Sequence, residues 1–197
     1  MSQRIAFFDF DGTITTKDTL LEFIKFYRGK QGFYKGFLLC SPFLVAYKLK
    51  LTPNYVAKQK VLQYFFKGEP IEKFQQACDA FADGQLPALI RSKAISEIKR
   101  LQAGGATVVV VSASAENWIR TWAARNSLYL LGTRLEVEEG RLTGNIDGNN
   151  CYGDEKVYRI RQVYNLSDYR EIYCYGDTSG DKPMLAIGTR SFYKPFR

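Results

Sequence analysis

The chain has no histidine among its 197 residues. That excludes a Ser-His-Asp triad, a histidine-based zinc site and any phosphohistidine mechanism. Its cysteines, Cys40, Cys78, Cys151 and Cys174, form no Cys-x-x-Cys pair. None is followed six positions on by arginine, because those places hold Ala46, Gly84, Val157 and Gly180. The Cys-x5-Arg arrangement of cysteine phosphatases is therefore missing too. The N-terminus has no secretory pattern, so the thiols are expected to be reduced and buried in a cytoplasmic protein. No apolar run reaches the ~20 residues that a membrane span needs. The sequence also lacks internal repeats and low-complexity tracts.

What is present is enough apolar content, 46%, for one core with a modest inserted subdomain. Strand-like and helix-like segments alternate, which argues for an α/β fold. Strands are predicted at 4–8, 107–111 and 171–175, with a hairpin from 129–137 and 141–146. The run Thr107–Val111 is continuously β-branched, as expected of a strand buried on both faces. Helices are predicted from Pro87, as a first-turn proline, to about Gln102; from Ser114, as N-cap, to about Arg125; over 154–164; and around 183–186. Gly104-Gly105 stops the first of these.

Residues 16–85 break the alternation and read as helices without a strand. Inserted after the first strand and returning at Pro87, they are expected to form a helical cap that excludes water and selects the substrate. From Lys17 to Lys60 nine basic residues face two acids, a net +7 of the chain's +8. Within this segment Phe37–Tyr47 is apolar at nine of eleven positions, and Pro42 suits a helix start after Ser41. Basic residues flanking an apolar stretch suit peripheral contact with an anionic membrane, at its inner face for a cytoplasmic protein, or with a phosphorylated lipid. The ordinary alternative is a cap core ringed by solvated lysines.

Two acidic pairs carry the chemistry. Asp9 and Asp11 follow the first strand, and Asp177 and Asp181 follow the strand at 171–175. Carboxylates at strand ends so far apart in sequence meet only at one edge of a parallel sheet, where ligands bind. Four carboxylates in one small volume require a cation, and hard oxygen donors suit Mg²⁺. The pattern predicts Mg²⁺-dependent phosphoryl transfer.

Phe8-Asp9-Phe10-Asp11-Gly12-Thr13, Val111-Ser112, Lys156 and Gly176-Asp177-x3-Asp181 resemble, in order, the four motifs of the haloacid dehalogenase superfamily. They span nearly the whole chain. The helical segment after the first motif is similar to that of the subfamily holding phosphoserine phosphatases and the bacterial phosphatidylglycerophosphatases C. Val111-Ser112-Ala113-Ser114, Gly132–Val137 and Cys151-x-Gly153-x-x-Lys156 look closer to the latter. The resemblance implies a Rossmann-like parallel sheet built from 1–15 and 86–197, with an all-helical cap from 16–85.

It also implies roles. Asp9 is the expected nucleophile, forming an aspartyl-phosphate, and a metal ligand. Asp11 is the expected general acid and base, with its carbonyl on the metal. Gly12 and Thr13 support the turn, Ser112 binds the phosphoryl group, and Lys156 balances its charge. Lys182 is the rival to Lys156, which has the matching Gly-x-x-Lys context. Asp177 completes the metal shell, and Asp181 orients Lys156 or a metal water. Serine phosphatases of this family hold the substrate's amino group with a glutamate where this chain has Asp18, a methylene shorter. Asp18 is either a weak substrate-selecting residue or an N-cap.

The expected activity is hydrolysis of a phosphomonoester, on an anionic lipid phosphate such as phosphatidylglycerophosphate. The alternative is phosphoserine or another small soluble phosphate. Basic charge alone gives only non-specific affinity for nucleic acid, and no nucleic-acid motif is present, so no such partner is expected.

Overall fold

The computed structural model describes residues 3–49, 51 and 53–197, and of Tyr47 and Asn54 only the backbone. Lys50 of the basic segment lies outside the described residues.

Six strands form one sheet in the order β4-β3-β2-β1-β5-β6: β1 (Arg4–Phe8), β2 (Ala106–Ala115), β3 (Tyr129–Glu138), β4 (Arg141–Asp147), β5 (Glu171–Gly176) and β6 (Arg190–Tyr193). All neighbours run parallel except the hairpin β3–β4. This is a Rossmann-like α/β fold.

The two-residue period of β1 explains the layers. Ala6 and Phe8 join Val108 and Val110 in a core with α5 (Ser92–Ala103) and α6 (Glu116–Arg125). Ile5 and Phe7 join Val109 and Val111 on the other face, under α7 (Asp154–Val163) and α8 (Lys182–Ala186). Pairing of Phe8 with both Val110 and Tyr175 puts Asp9, Val111 and Gly176 at one level at the carboxyl edge.

Between β1 and β2 the described residues 19–84 form α1 (Thr19–Lys48), α2 (Asn54–Phe66) and α3 (Ile71–Gly84). Gly29, at φ +70°, interrupts α1. The helices do not have a separate core. Phe23 is fully buried between Phe74, Phe81 and the Trp118 ring of α6, with centroids 5.3–5.5 Å apart. The hairpin braces the layer from the side: Gly68 N–H donates to the Leu142 carbonyl at 2.7 Å, and Ile71 N–H to the Gly140 carbonyl at 2.9 Å.

Three local expectations are corrected, and one strand was not anticipated. Pro42 lies inside α1 rather than at a helix start. The Leu38 carbonyl, deprived of a proline N–H, accepts instead from Ser41 Oγ at 2.7 Å. The helix from Pro87 is really two, α4 (Leu86–Leu89) and α5. Backbone bonds from Thr16 N–H to the Leu89 carbonyl and from Arg91 N–H to the Ile14 carbonyl, both 2.8 Å, hold Ile90 extended beside Thr15. Ser114 is no N-cap, because β2 continues to Ala115 and its hydroxyl is used elsewhere. The short edge strand β6 was not anticipated; four exposed residues carry no burial pattern.

Replacing Phe23 by alanine should cost about 3–5 kcal/mol, the usual loss for a fully buried Phe. Urea unfolding followed by tryptophan fluorescence and by helix content should still give one coincident transition. Two separated transitions would mean that the helical layer folds apart from the sheet.

Candidate active site

Asp9 continues β1 past its last strand residue, its N–H donating to the Tyr175 carbonyl at 2.9 Å. Asp177 lies one residue past the end of β5. Between them runs the tight turn Phe10–Ile14. Gly12 adopts φ +82°, and a Cβ there would sit 2.5 Å from Asp177 Oδ2. Only glycine lets the turn pass so close to the second acidic strand end. Thr13 Oγ1 lies 3.1 Å from Asp9 Oδ2 and 3.4 Å from Asp177 Oδ1, joining the two strand ends.

Lys156, near the start of α7, is buried and bridges two buried acids. Its Nζ donates to Asp9 Oδ1 at 2.6 Å and to Asp181 Oδ1 at 2.7 Å. Asp181 Oδ2 accepts from the Asp177 and Thr178 N–H groups and from Thr178 Oγ1, at 3.1, 2.9 and 3.0 Å. The exposed Lys182 is not in this network. Burial pushes the Asp9 carboxyl up to about 7 against the pull of Lys156. Burial acts on Asp181 in the same sense, but Lys156 and the backbone donors outweigh it and hold its pKa below the ordinary value. Burial alone would discharge Lys156; the two carboxylates keep it protonated.

Asp11 points the other way, into the helical layer. Its Oδ1 accepts from Thr19 N–H at 2.6 Å and its Oδ2 from Ser114 Oγ at 2.5 Å. Burial, then the charge of Asp18, raises its pKa to about 6. Thr19 Oγ1 accepts from Trp118 Nε1 at 3.1 Å and lies 3.2 Å from Ser114 Oγ, so α1, β2 and α6 all support this carboxyl. Ser112 Oγ accepts from Ser114 N–H at 3.0 Å; that bond leaves its proton uncommitted. The register break between β2 and β3 falls across 111–115 and frees this stretch from the ladder. Asp18 is exposed, and its Oδ1 accepts from Leu21 N–H at 3.1 Å, as an N-cap does.

A cavity of about 420 Å³ opens at this edge of the sheet; the buried Ser112 and Asp177 lie behind its lining rather than in it. Asp9, Asp11, Lys156 and Asp181 lie at its floor, while Leu20, Leu21, Phe37, Leu44 and Val61 give it apolar walls. Lys58 of α2 enters from the helical layer. Its Nζ donates to the Ala113 carbonyl and to Asn150 Oδ1, the latter at 2.7 Å. Burial of the ammonium lowers its pKa to about 8, against the charges of Asp11 and Asp18. Sequence reasoning missed Lys58, Ser114 and Thr19. Lys58 precedes the buried Val61, Leu62 and Phe65 by three, four and seven residues, a spacing that marks an inward-facing position. Ser114 shares the strand period of Ser112.

Residues 6–186 match the family model described as haloacid dehalogenase-like hydrolase. The chain belongs to that family. It is 38% identical over 192 residues to protein CicA of Caulobacter vibrioides, covering 96% of this chain and 85% of that one. Among solved structures, a protein of unknown function from Bordetella pertussis superposes with TM-score 0.83 at 20% identity, over 97% of this chain and 89% of its own. A phospho-aspartyl intermediate analogue of phosphoserine phosphatase superposes with TM-score 0.63 at 23% identity, over 97% and 86%.

A haloacid dehalogenase-like hydrolase with this donor set suits a hard cation. Oxygens of Asp9, Asp177 and Asp181 lie within 4.8 Å of one another, all buried. Asp181 accepts from Lys156 and from three further donors, whereas Asp9 accepts only from Lys156 and Thr13, and Asp177 only from Thr13 and Arg197, so Asp9 and Asp177 are the less saturated donors. Burial raises the Asp177 pKa despite the contact of Arg197 with its Oδ2, as expected where carboxylates outnumber nearby cations.

Lys156→Met should destabilise the protein by about 3–5 kcal/mol at neutral pH, since it leaves buried carboxylates unpaired. The folded-state pKa of Asp9, about 7, lies above the ordinary carboxylate value of the unfolded chain, so the folded state takes up the proton first. Without Lys156 the Asp9 pKa rises further, so the Asp9 part of the penalty should shrink as pH falls toward about 7, where the parent's Asp9 takes up its proton too. Urea titrations of both proteins at pH values either side of that point check it; a cost that grows on acidification would contradict the assignment.

Proposed function

We propose that this hydrolase is an Mg²⁺-dependent phosphomonoesterase working through an aspartyl-phosphate, on a phosphate ester whose leaving group is apolar, namely an anionic lipid phosphate. The observation that carries the reading is the cavity, with carboxylates and Lys156 at its floor and Leu20, Leu21, Phe37, Leu44 and Val61 above them. Residues 16–85 act as the cap that supplies those apolar walls.

Asp9, Asp177 and the Asp11 carbonyl would hold Mg²⁺, which supplies positive charge to offset that of the phosphoryl oxygens. Asp9 attacks phosphorus in line; the bond from phosphorus to the ester oxygen breaks as the new one forms. Asp11, with its pKa raised to about 6, gives its proton to the departing oxygen. It then takes a proton from the water that attacks the aspartyl-phosphate, releasing inorganic phosphate and restoring Asp9. Lys156 favours the ionised form of Asp9 against its burial and orients it, and the Ser112 hydroxyl donates to a phosphoryl oxygen. A phosphoserine phosphatase of the same fold has been captured as an analogue of such an intermediate.

Lys58 stands on the leaving-group side and would pair with a second anionic group there, such as a phosphodiester. Selection of an amino-acid phosphate is less well supported, because the Asp18 Oδ1 that would hold an ammonium already caps α1.

A phosphate-release panel in Mg²⁺ should favour detergent-dispersed lipid phosphates over phosphoserine; the reverse order would replace the lipid reading with the soluble one. Asp9→Asn should abolish turnover while keeping the fold, and Asp11→Asn should slow it roughly 10²–10⁴-fold. Lys58→Met should raise KM about tenfold for an ester carrying a second anion, the equivalent of ~1.4 kcal/mol. It should leave para-nitrophenyl phosphate nearly unchanged. Normal turnover by Asp9→Asn would end the covalent mechanism.

A further inference from the structure

The second half of α1 presents two unlike faces. Phe33, Phe37, Cys40 and Leu44, spaced four, three and four residues apart, turn inward to the core, and Phe37 and Leu44 also line the cavity. Tyr34, Leu38 and Val45, with Leu49 just past the helix end, form a second, outward stripe and are 68%, 72%, 54% and 64% exposed. Leu39 and Phe43 lie beside them, also exposed. No charged residue occurs from Gly36 to Tyr47. A helical face in water normally carries polar residues opposite its apolar stripe; this one carries leucines. Exposed apolar patches of this kind mark interaction sites.

The surrounding charge identifies the partner. From Phe23 to Gly68 there is no acid, against nine lysines and arginines. Lys30, Lys35 and Lys48 are exposed at the two ends of the apolar stripe. A second copy of the chain would bring the same uncompensated positive charges together, which opposes pairing through this face. An anionic bilayer accommodates both features, taking the apolar ridge at its acyl boundary and the lysines among its headgroups. Among the described residues no helix is long and apolar enough to cross a membrane, so contact through this face would be peripheral.

We infer that the outer face of α1, centred on Leu38, Val45 and Leu49, docks the protein on an anionic lipid surface. The inner face of the same helix then delivers the substrate's apolar part into the cavity. The docking deepens the lipid-phosphate reading and rests on it for the identity of the substrate, but it is measurable without turnover.

Co-sedimentation with phosphatidylcholine vesicles, with and without phosphatidylglycerol, tests it. The protein should bind the anionic vesicles, and less as added salt shortens the Debye length from ~8 Å toward ~3 Å. Leu38→Glu with Val45→Glu should weaken binding on the order of 100-fold while hydrolysing para-nitrophenyl phosphate like the parent. Lys30→Gln, Lys35→Gln and Lys48→Gln together should flatten the salt dependence. Equal binding by the glutamate variant would overturn the proposal. So would failure of the parent to bind, especially with a concentration-dependent dimer that the variant loses. Vesicle binding without hydrolysis of a vesicle-borne lipid phosphate would uphold the docking and reject the lipid as substrate.

Discussion

Asp9, Asp177 and Asp181 share a buried pocket at the sheet edge, and one buried ammonium, Lys156, spans two of them. Like charges so close in low dielectric repel strongly, and each also loses its hydration. The fold meets this constraint by bringing compensation from several elements. β1 and β5 set the acids at one level, α7 lowers Lys156 between them, and the turn after Asp177 surrounds Asp181 with N–H donors. The arrangement is incompletely balanced. Asp9 and Asp177 are both pushed up by burial, whereas Asp181, fully bonded, is held down. The shortage of positive charge falls at the two carboxylates that a phosphoryl group and a cation would approach.

The helical layer belongs to the same design. Thr19, at the start of α1, bonds Asp11 through its N–H and stands beside Ser114, so the first helix is fastened directly to the carboxyl assigned as acid and base. Phe23, one turn on, is locked against Trp118. Past the break at Gly29 the helix runs out over the cavity, one side facing in and the other facing out. A single helix thereby connects the Asp11 carboxyl, the apolar walls and the outer ridge.

Much of this was legible in the residues. Period-two burial in β1, the valine run of β2 and the acidic pairs beyond two strands are strong local signals, and a parallel sheet lets those pairs meet at one edge. The break in alternation after residue 15 likewise corresponds, among the described residues, to the three helices α1, α2 and α3. The misses arose where tertiary contacts override local preference. Pro42 is accommodated in a helix because Ser41 supplies the missing donor. Pro87 begins only a single turn because the returning chain must lie along Thr15. Ser114 looked like a cap until Asp11 arrived from more than a hundred residues away. Lys58 was hidden in a basic segment where most lysines are solvated, and only its spacing from Val61 and Phe65 distinguished it. Exposure of the α1 ridge was beyond sequence reasoning, since nine apolar residues in eleven suit a buried helix equally well.

The claim on which the mechanism depends is that Asp9 becomes covalently phosphorylated. Rapid acid quench during turnover, followed by peptide mapping by mass spectrometry, measures this directly. The account predicts a phosphoryl adduct on the peptide that begins the chain, localised to Asp9 and absent from Asp9→Asn. An adduct on Asp11, or steady phosphate release with no adduct at any quench time and inversion at phosphorus, as a single displacement by water gives, would contradict it.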